Sequence, residues 1–211
     1  MEEAGKRAAA EAERLWQLDV YDPKIGDQAP RAKFCLQIIN DIIHKAGWTW
    51  IKYLGDGPPQ WCGLFAAACW LVAGIDPKWL ATFWASTLRL ESWAEGHPWN
   101  GTPAGGPRPF IKMNSKSKPE ECKFPDGSLP RAGDIVVVGD ETPKEGDHIC
   151  VVMSFDPATG VFVTISGNGG GDGPTGEKRQ GISKAEYKIG APGYHPLRVY
   201  RPLSNDMSKQ A

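Results

Sequence analysis

The sequence predicts an α+β domain in which helices come first and a sheet of antiparallel strands follows. Between residues 4 and 96, apolar side chains recur at three- and four-residue spacing or form one helix-length apolar run. After residue 133, short runs rich in Val and Ile are separated by turn residues, which is typical of strands and hairpins. Because helices and strands occupy separate parts of the chain, the pattern favours α+β over α/β.

Composition sets limits on the class of protein. A hydrophobic fraction of 41% and a charged fraction of 23% are ordinary for a globular chain, and 211 residues can bury a large core. The net charge of −1 gives no electrostatic basis for a nucleic-acid partner. The longest apolar run, residues 61–75, is shorter than a bilayer span, so we expect no membrane insertion. Five cysteines are too few for a disulfide framework in a chain of this length.

Two helices are predicted before residue 50. The first spans residues 4–16, which carry a modest apolar stripe among Glu and Arg. The second begins after Pro30 and ends at Gly47, and its apolar stripe includes Cys35, which is therefore expected in the core. His44 lies off that stripe and is expected at the surface.

A third helix is bracketed by Pro59 before it and by Gly74 after its last apolar residue. Its residues are apolar on every side, which predicts burial all round, Cys69 included. Cys62 lies at its amino end, where unpaired backbone N–H groups and the helix macrodipole are expected to lower the pKa of the thiol. A further helix is predicted over residues 77–96.

Residues 97–130 are dense in turn formers and polar residues. This composition predicts a long connection without regular structure, which is either a functional loop or a disordered one. Cys122 is expected to be exposed there.

Four strands are predicted in the last part of the chain, at residues 134–138, 148–155, 161–166 and 194–200. Residues 156–160 form the hairpin loop between the second and the third. The glycine-rich run at 167–171 is interpreted as a flexible lip beside the candidate site described next. A phosphate-binding loop is rejected for it, because Glu177 stands where a lysine is needed.

Cys62, His148 and Asn168 form a candidate catalytic set. His148 opens the second predicted strand and Asn168 closes the third, so an antiparallel hairpin brings them to the same end of the sheet. An amide oxygen that accepts a hydrogen bond from Nδ1–H fixes the imidazole tautomer and leaves the other ring nitrogen facing the thiol. The set therefore predicts a cysteine nucleophile with its base and an orienting residue.

Four segments resemble the successive blocks of a CHAP domain, the papain-like family of cysteine- and histidine-dependent amidohydrolases and peptidases. They are residues 59–65 with 73–75, 130–137, 146–152 and 165–168. The resemblance covers roughly residues 28–202, is closest to the single-domain phage-lysin-like branch, and includes a longer insert at 97–130 than the family leads us to expect. The implied organisation is a helical extension at 1–27, a catalytic domain at 28–203 and a tail at 204–211.

By this resemblance the protein is a bacterial or phage peptidoglycan hydrolase, an amidase or endopeptidase acting on the peptide stems without a metal or other cofactor. Cys62 would attack an amide carbonyl, His148 would protonate the leaving amine and Asn168 would orient His148. Backbone N–H groups at the helix start would stabilise the oxyanion. Further candidates for contacts with the oxyanion or the substrate are Gln60, Trp61 and Ser166.

Three other interpretations stay open. His148 and Cys150 share a strand face and with Cys62 resemble part of a zinc site, but no C-x-x-C pair or fourth ligand is present at a telling spacing. The domain can also be a non-catalytic cell-wall-binding module, although such a module need not retain the whole Cys, His and Asn set. A Cys–His toxin acting on a protein, as a deamidase or transglutaminase-like enzyme, retains the chemistry and changes the substrate.

The first residues lack the apolar core of a signal peptide. We therefore expect synthesis in a bacterial cytoplasm and action at the cell wall or periplasm after phage-style lysis or injection, for example by type VI secretion. In the case of injection, a cognate immunity protein should block the cleft.

Overall fold

The computed structural model describes residues 2–18, 41, 44, 62–77, 87–97, 107–140, 147–174, 176 and 178–207. Its helices are α1 (Glu2–Leu18), α2 (Cys62–Ala73) and α3 (Thr87–Ala94). Its strands are β1 (Phe110–Lys112), β2 (Ile135–Gly139), β3 (His148–Asp156), β4 (Val161–Asp172), β5 (Lys178–Lys188) and β6 (His195–Tyr200). The prediction of an α+β structure is confirmed. None of the described helices is long and apolar enough to cross a membrane.

Several predicted features fall outside the described residues. They are the stripe position of Cys35, the candidate contacts at Gln60 and Trp61, and the part of the predicted fourth helix at residues 78–86. Within the described residues, α3 confirms the last part of that helix, and His44 is exposed as predicted.

The sheet is antiparallel throughout, in the order β1-β6-β2-β3-β4-β5. The four predicted strands are confirmed as β2, β3, the first half of β4, and β6. β1 and β5 were not predicted. β1 has only three residues, and the sequence of β5 mixes charged and small residues without regular apolar alternation, so neither gives the usual pattern of a half-buried strand.

The two faces of the sheet carry separate apolar clusters. The first face is formed by Ile135, Val137, Ile149, Val151 and Ile165. The second face is formed by Val136, Val138, Cys150, Val152 and Phe162. Alternation of side chains along each strand produces this division.

Helix α2 covers the first face by packing on β3 and β4, and α1 lies against α2. All residues from Cys62 to Trp70 are buried, with Cys69 fully so, which confirms the predicted burial for most of this helix. In the last turn the prediction is wrong, because Leu71 is only partly buried and Val72 is 49% exposed. The chain leaves α2 through Gly74, whose φ of 98° is the left-handed conformation predicted for the stop. The Trp70 indole Nε1–H donates to the Gly133 carbonyl oxygen at 2.9 Å and ties α2 to the start of β2.

Residues 107–134 cover the second face. The prediction of an unstructured connection is wrong for its described part, which contains β1 and a 3₁₀ turn at Pro119–Glu121. The prediction that Cys122 is exposed is also wrong, because its side chain is 0% exposed and packs near Phe124 in the second cluster. An apolar sheet face needs a cover, and isolated apolar side chains in an irregular segment supply it without a periodic pattern.

The glycine-rich run at 167–171 is a paired part of β4, so the interpretation as a flexible lip is wrong. Its residues pair with β5 through Gly169↔Gly181, Gly170↔Gln180 and Gly171↔Arg179, after a register shift that follows Ser166. A Cβ on Gly171 would lie 2.5 Å from the carbonyl oxygen of Lys184. The glycines therefore permit the close approach of β5 rather than local mobility.

Two buried ion pairs fix the chain around the sheet. Before β2, Asp134 accepts from Arg201 Nε at 2.9 Å through Oδ1 and from Arg201 Nη2 at 2.7 Å through Oδ2. Burial raises the pKa of Asp134, although the Arg201 guanidinium opposes this shift. Arg108 Nη2 donates to Asp206 Oδ1 at 2.6 Å, which ties the segment before β1 to the turn after β6. Both pairs combine charge with two-point geometry, the arrangement that keeps a buried charge compensated.

Candidate active site

Cys62 is the first residue of α2, and its side chain is 5% exposed. The backbone N–H groups of Ile149, Gly63 and Cys62 itself act on the thiol and favour its thiolate form. Two of these groups belong to the helix start, as predicted, and the third comes from β3. The contact with Ile149 therefore places the thiol beside the start of β3, next to the residue that follows His148.

The predicted direction of the Cys62 pKa shift is wrong in this structure. Burial raises the pKa of the thiol, and this effect exceeds the opposite effect of the three backbone N–H groups. The helix start alone is thus insufficient to produce a thiolate. A base that removes the thiol proton, or a substrate that lies against the thiol, is required for nucleophilic chemistry.

His148 is the first residue of β3 and is half-buried. Its Nε2 lies 2.7 Å from the hydroxyl oxygen of Ser166 on β4. Burial lowers the pKa of His148 to about 4, so the imidazole is neutral at pH 7 and holds a nitrogen lone pair. A neutral imidazole is the form that can accept a proton from a thiol.

The engaged nitrogen differs from the prediction. The sequence argument assigned Nδ1–H to the orienting residue, whereas in the structure Nε2 contacts Ser166. Among the described residues, Nδ1 has no hydrogen-bond partner. Nδ1 is therefore the nitrogen left for proton transfer.

Asn168 is described by its backbone alone. It does not close a strand, because β4 continues to Asp172. The β3–β4 pairing includes Val151↔Ile165, so the same register continued by three residues sets His148 opposite Asn168. The described pairing stops before that point, and a register shift interrupts the β4–β5 pairing between Ser166 and Gly169. The contact between His148 and Asn168 stays a prediction.

Cys62 and His148 lie on different sides of the sheet near the start of β3. Ile149 packs in the first cluster with Cys62, and alternation along β3 directs His148 to the side of Cys150 and the second cluster. The structure brings the thiol to the β3 backbone, and no hydrogen bond joins the thiol to the imidazole. In ligand-free enzymes such bonds are often long and form in the complex with substrate.

Sequence reasoning missed the contact with Ile149. It named Ser166 as a contact for the oxyanion or the substrate, and Cys150 as a zinc ligand in one alternative, so both have a different place here. The Ile149 amide acts on the thiol, the Ser166 hydroxyl holds the imidazole, and the Cys150 thiol lies beside the hydroxyls of Ser166 and Thr164. A signal for the contact of Ser166 was present: Thr164, Ser166 and Asn168 alternate along one strand, so all three are expected on the same side in regular pairing. No sequence pattern indicates the contact with Ile149, because nearly every residue carries the same backbone amide.

The zinc alternative receives no support from the described part of the chain. Among these residues, no group of three or more His, Cys, Asp and Glu side chains has an arrangement that could hold a metal ion. Burial strongly raises the pKa of the Cys150 thiol, so this side chain is protonated at neutral pH and is a poor metal ligand in this state.

The comparisons with known proteins add no further information about this region. No protein-family model matches the chain, and neither a curated protein nor a solved structure matches it.

Proposed function

We propose that the protein is a cysteine amidohydrolase or peptidase with a papain-like CHAP architecture, acting on an amide bond in the peptide stems of peptidoglycan. The observation that carries the proposal is the packing of Cys62 with Ile149, the residue after His148, in one apolar cluster. This packing sets a cysteine at a helix start directly beside the strand whose first residue is His148. A helix-start cysteine next to a strand-initial histidine is the constellation on which the CHAP resemblance depends.

The proposed reaction is acyl transfer through Cys62. The thiol proton passes to Nδ1 of the neutral His148, and the thiolate attacks the carbonyl carbon of the amide. Backbone N–H groups at the start of α2 stabilise the oxyanion that develops on the carbonyl oxygen. His148 then gives its proton to the leaving amine as the C–N bond breaks.

Deacylation completes the cycle. Water attacks the thioester carbonyl, His148 accepts a proton from that water, and the proton returns to the Cys62 sulfur as it leaves. The products are a free amine and a carboxylic acid. The neutral state of His148 at pH 7 supports both of its roles as a base, because the ring needs no prior deprotonation.

The test is mass spectrometry of soluble fragments released from purified peptidoglycan by the wild type, Cys62→Ala and His148→Ala. We expect new amine-bearing fragments with the wild type, and a rate loss of about three orders of magnitude or more in each variant. Cys69→Ala is the matched control for Cys62→Ala, because Cys69 lies on the same helix two turns away and is fully buried. We expect this control to retain fragment release at a temperature where it is folded.

Two outcomes would overturn the proposal. One is the absence of fragments from folded wild type on several chemical types of cell wall. The other is fragment release by Cys62→Ala at the wild-type rate. The first outcome would favour a Cys–His enzyme that acts on a protein, or a binding module.

A further inference from the structure

We propose that Ser166 is the residue that positions His148, accepting a hydrogen bond from Nε2–H and leaving Nδ1 as the basic nitrogen. The catalytic meaning of this assignment rests on the proposed function. The arrangement of the ring does not depend on it. Sequence reasoning gave the orienting role to Asn168, so the proposal assigns that role to a different side chain.

The contact between His148 and Ser166 is short and buried. The distance of 2.7 Å from Nε2 to the Ser166 oxygen is short for a hydrogen bond between nitrogen and oxygen. Ser166 is 2% exposed, so water cannot readily replace it as the partner of the ring. A ring nitrogen that loses this hydroxyl would be left without a hydrogen bond in a largely buried place, which is costly.

The residues around the contact are closely packed. On β5, Ser183 is the cross-strand partner of Ser166, so both side chains lie on the same face. A Cβ on Gly169 would lie 2.7 Å from Ser166 Oγ, 2.9 Å from His148 Nε2 and 2.9 Å from Ser183 Oγ. These three polar atoms therefore surround the space that the glycine leaves open, and the ring and hydroxyl are held by the backbone on that side.

The direction of the hydrogen bond follows from the neighbours of Ser166. A hydroxyl can donate to a ring nitrogen or accept from it, and its own proton decides between the two. The β3–β4 pairing includes Val151↔Ile165, so the same register continued by one residue sets Cys150 opposite Ser166 on one face of the sheet. The Ser166 hydroxyl can therefore direct its proton to the Cys150 sulfur, which leaves the oxygen lone pairs for Nε2–H. The chain of contacts is then His148 to Ser166 to Cys150.

A neutral orienting residue has a chemical consequence. A carboxylate at this position would stabilise the imidazolium and raise the pKa of the ring, whereas a hydroxyl adds no charge. His148 thus remains a neutral acceptor over the whole physiological range. The hydrogen bond to Ser166, and not a nearby charge, determines that Nδ1 is the basic nitrogen.

The test is NMR of the full chain with ¹⁵N-labelled histidine, in which His148→Gln assigns the ring signals of His148 among those of the four histidines. For the wild type we expect a protonated Nε2, an unprotonated Nδ1 and an Nε2–H proton that is protected from solvent exchange. In Ser166→Ala this proton should exchange at least about tenfold faster, as expected for the loss of one hydrogen bond. Ser166→Thr, which keeps the hydroxyl, should restore protection.

Ser183→Ala is the matched control. Its hydroxyl is buried on the same face and has no hydrogen-bond partner among the described residues, so its removal should leave Nε2–H protection unchanged. A wild-type ring protonated at Nδ1, or equal protection in the wild type and folded Ser166→Ala, would overturn the proposal. If Ser166→Ala does not fold, loss of protection in folded Ser166→Thr would also count against it.

The readout separates this inference from the proposed function. Protection and protonation of the ring are measured without substrate, so a protein that releases no peptidoglycan fragments can still show the predicted ring. In that case the hydrolase proposal fails and the assignment of Ser166 stands. If the enzyme is active, Ser166→Ala should lower kcat more than it changes KM, because Ser166 acts through His148 and touches no substrate.

Discussion

The two faces of the sheet are covered in different ways. Two helices cover the first face, and α2 carries Cys62 at its start. The segment at 107–134, which contains β1 and a 3₁₀ turn, covers the second face, toward which His148 and Ser166 are directed. The comparison shows that the proposed nucleophile and base belong to different packing layers. Both lie near the start of β3, because Cys62 packs with Ile149 and His148 precedes Ile149 on the strand. The packing on both faces of the sheet therefore sets the geometry of the site.

The strongest challenge to this comparison is to remove the cover of the second face. Phe124 is 2% exposed, and Arg201 lies over its ring with Cζ 4.0 Å from the centroid. We expect Phe124→Ala to lower the free energy of unfolding by about 4 kcal/mol, because it leaves a cavity and removes the cation–π contact. Urea unfolding measures this change. Leu129→Ala is the control from the same segment, since Leu129 is 38% exposed and should lose less than about 1 kcal/mol.

A small effect of Phe124→Ala would show that residues 107–134 form a removable lid and not a part of the core. The cover of the second face would then differ from that of the first in stability as well as in structure. The expected loss of free energy of unfolding would instead show that the covers of both faces are required for a stable sheet.

The pH dependence of stability tests the burial of His148. Burial lowers the pKa of the folded His148 to about 4 from an ordinary value of 6.5, so the unfolded chain binds the proton first as the pH falls. The contribution of this residue to stability is therefore complete above pH 6.5 and is lost between pH 6.5 and about 4. From pH 7 to pH 4.5, we expect the wild type to lose about 2 kcal/mol more than His148→Gln in urea unfolding.

The loss of stability with pH is compared between the wild type and His148→Gln, because carboxylates and the other histidines titrate equally in both. Equal losses would mean that the imidazole is accessible to protons in the folded state. In that case the His148 ring would not be buried on the second face of the sheet. The difference between the covers of the two faces would then have no effect on the site.

The first face was more predictable from sequence than the second. Helix α2 has two strong boundary residues and a continuous apolar run, so its ends, its burial and the position of Cys62 follow from local rules. The cover of the second face uses single residues such as Cys122 and Phe124 in an irregular chain, and no periodic pattern identifies them. β5 was missed for a related reason, since its sequence mixes charged and small residues and shows no regular apolar alternation.

The candidate site divides in the same way. His148 could be placed at a strand start from its turn and its apolar neighbours, and His148 and Asn168 could be assigned to one end of the sheet. The role of Ser166 could not be separated from that of Asn168, because both lie on the same strand two residues apart and the sequence pattern assigns both to the same face. The net pKa of Cys62 was also beyond the sequence, since it depends on burial by residues far away in the chain.

Substitutions of Gly169 and Gly170 test how closely the backbone of β4 packs against His148, and their expected effects are the smallest. A Cβ at Gly169 would meet Ser166 Oγ, His148 Nε2 and Ser183 Oγ, whereas a Cβ at Gly170 would meet nothing within 4 Å. We expect Gly169→Ala to cost about 2 kcal/mol of stability through overpacking and to weaken the contact between His148 and Ser166. Gly170→Ala should be within about 0.5 kcal/mol of the wild type. Thermal unfolding and the exchange rate of the His148 ring proton measure both effects. If the two substitutions behave alike, the close packing around His148 is not rigid, and the second layer does not fix the position of the base.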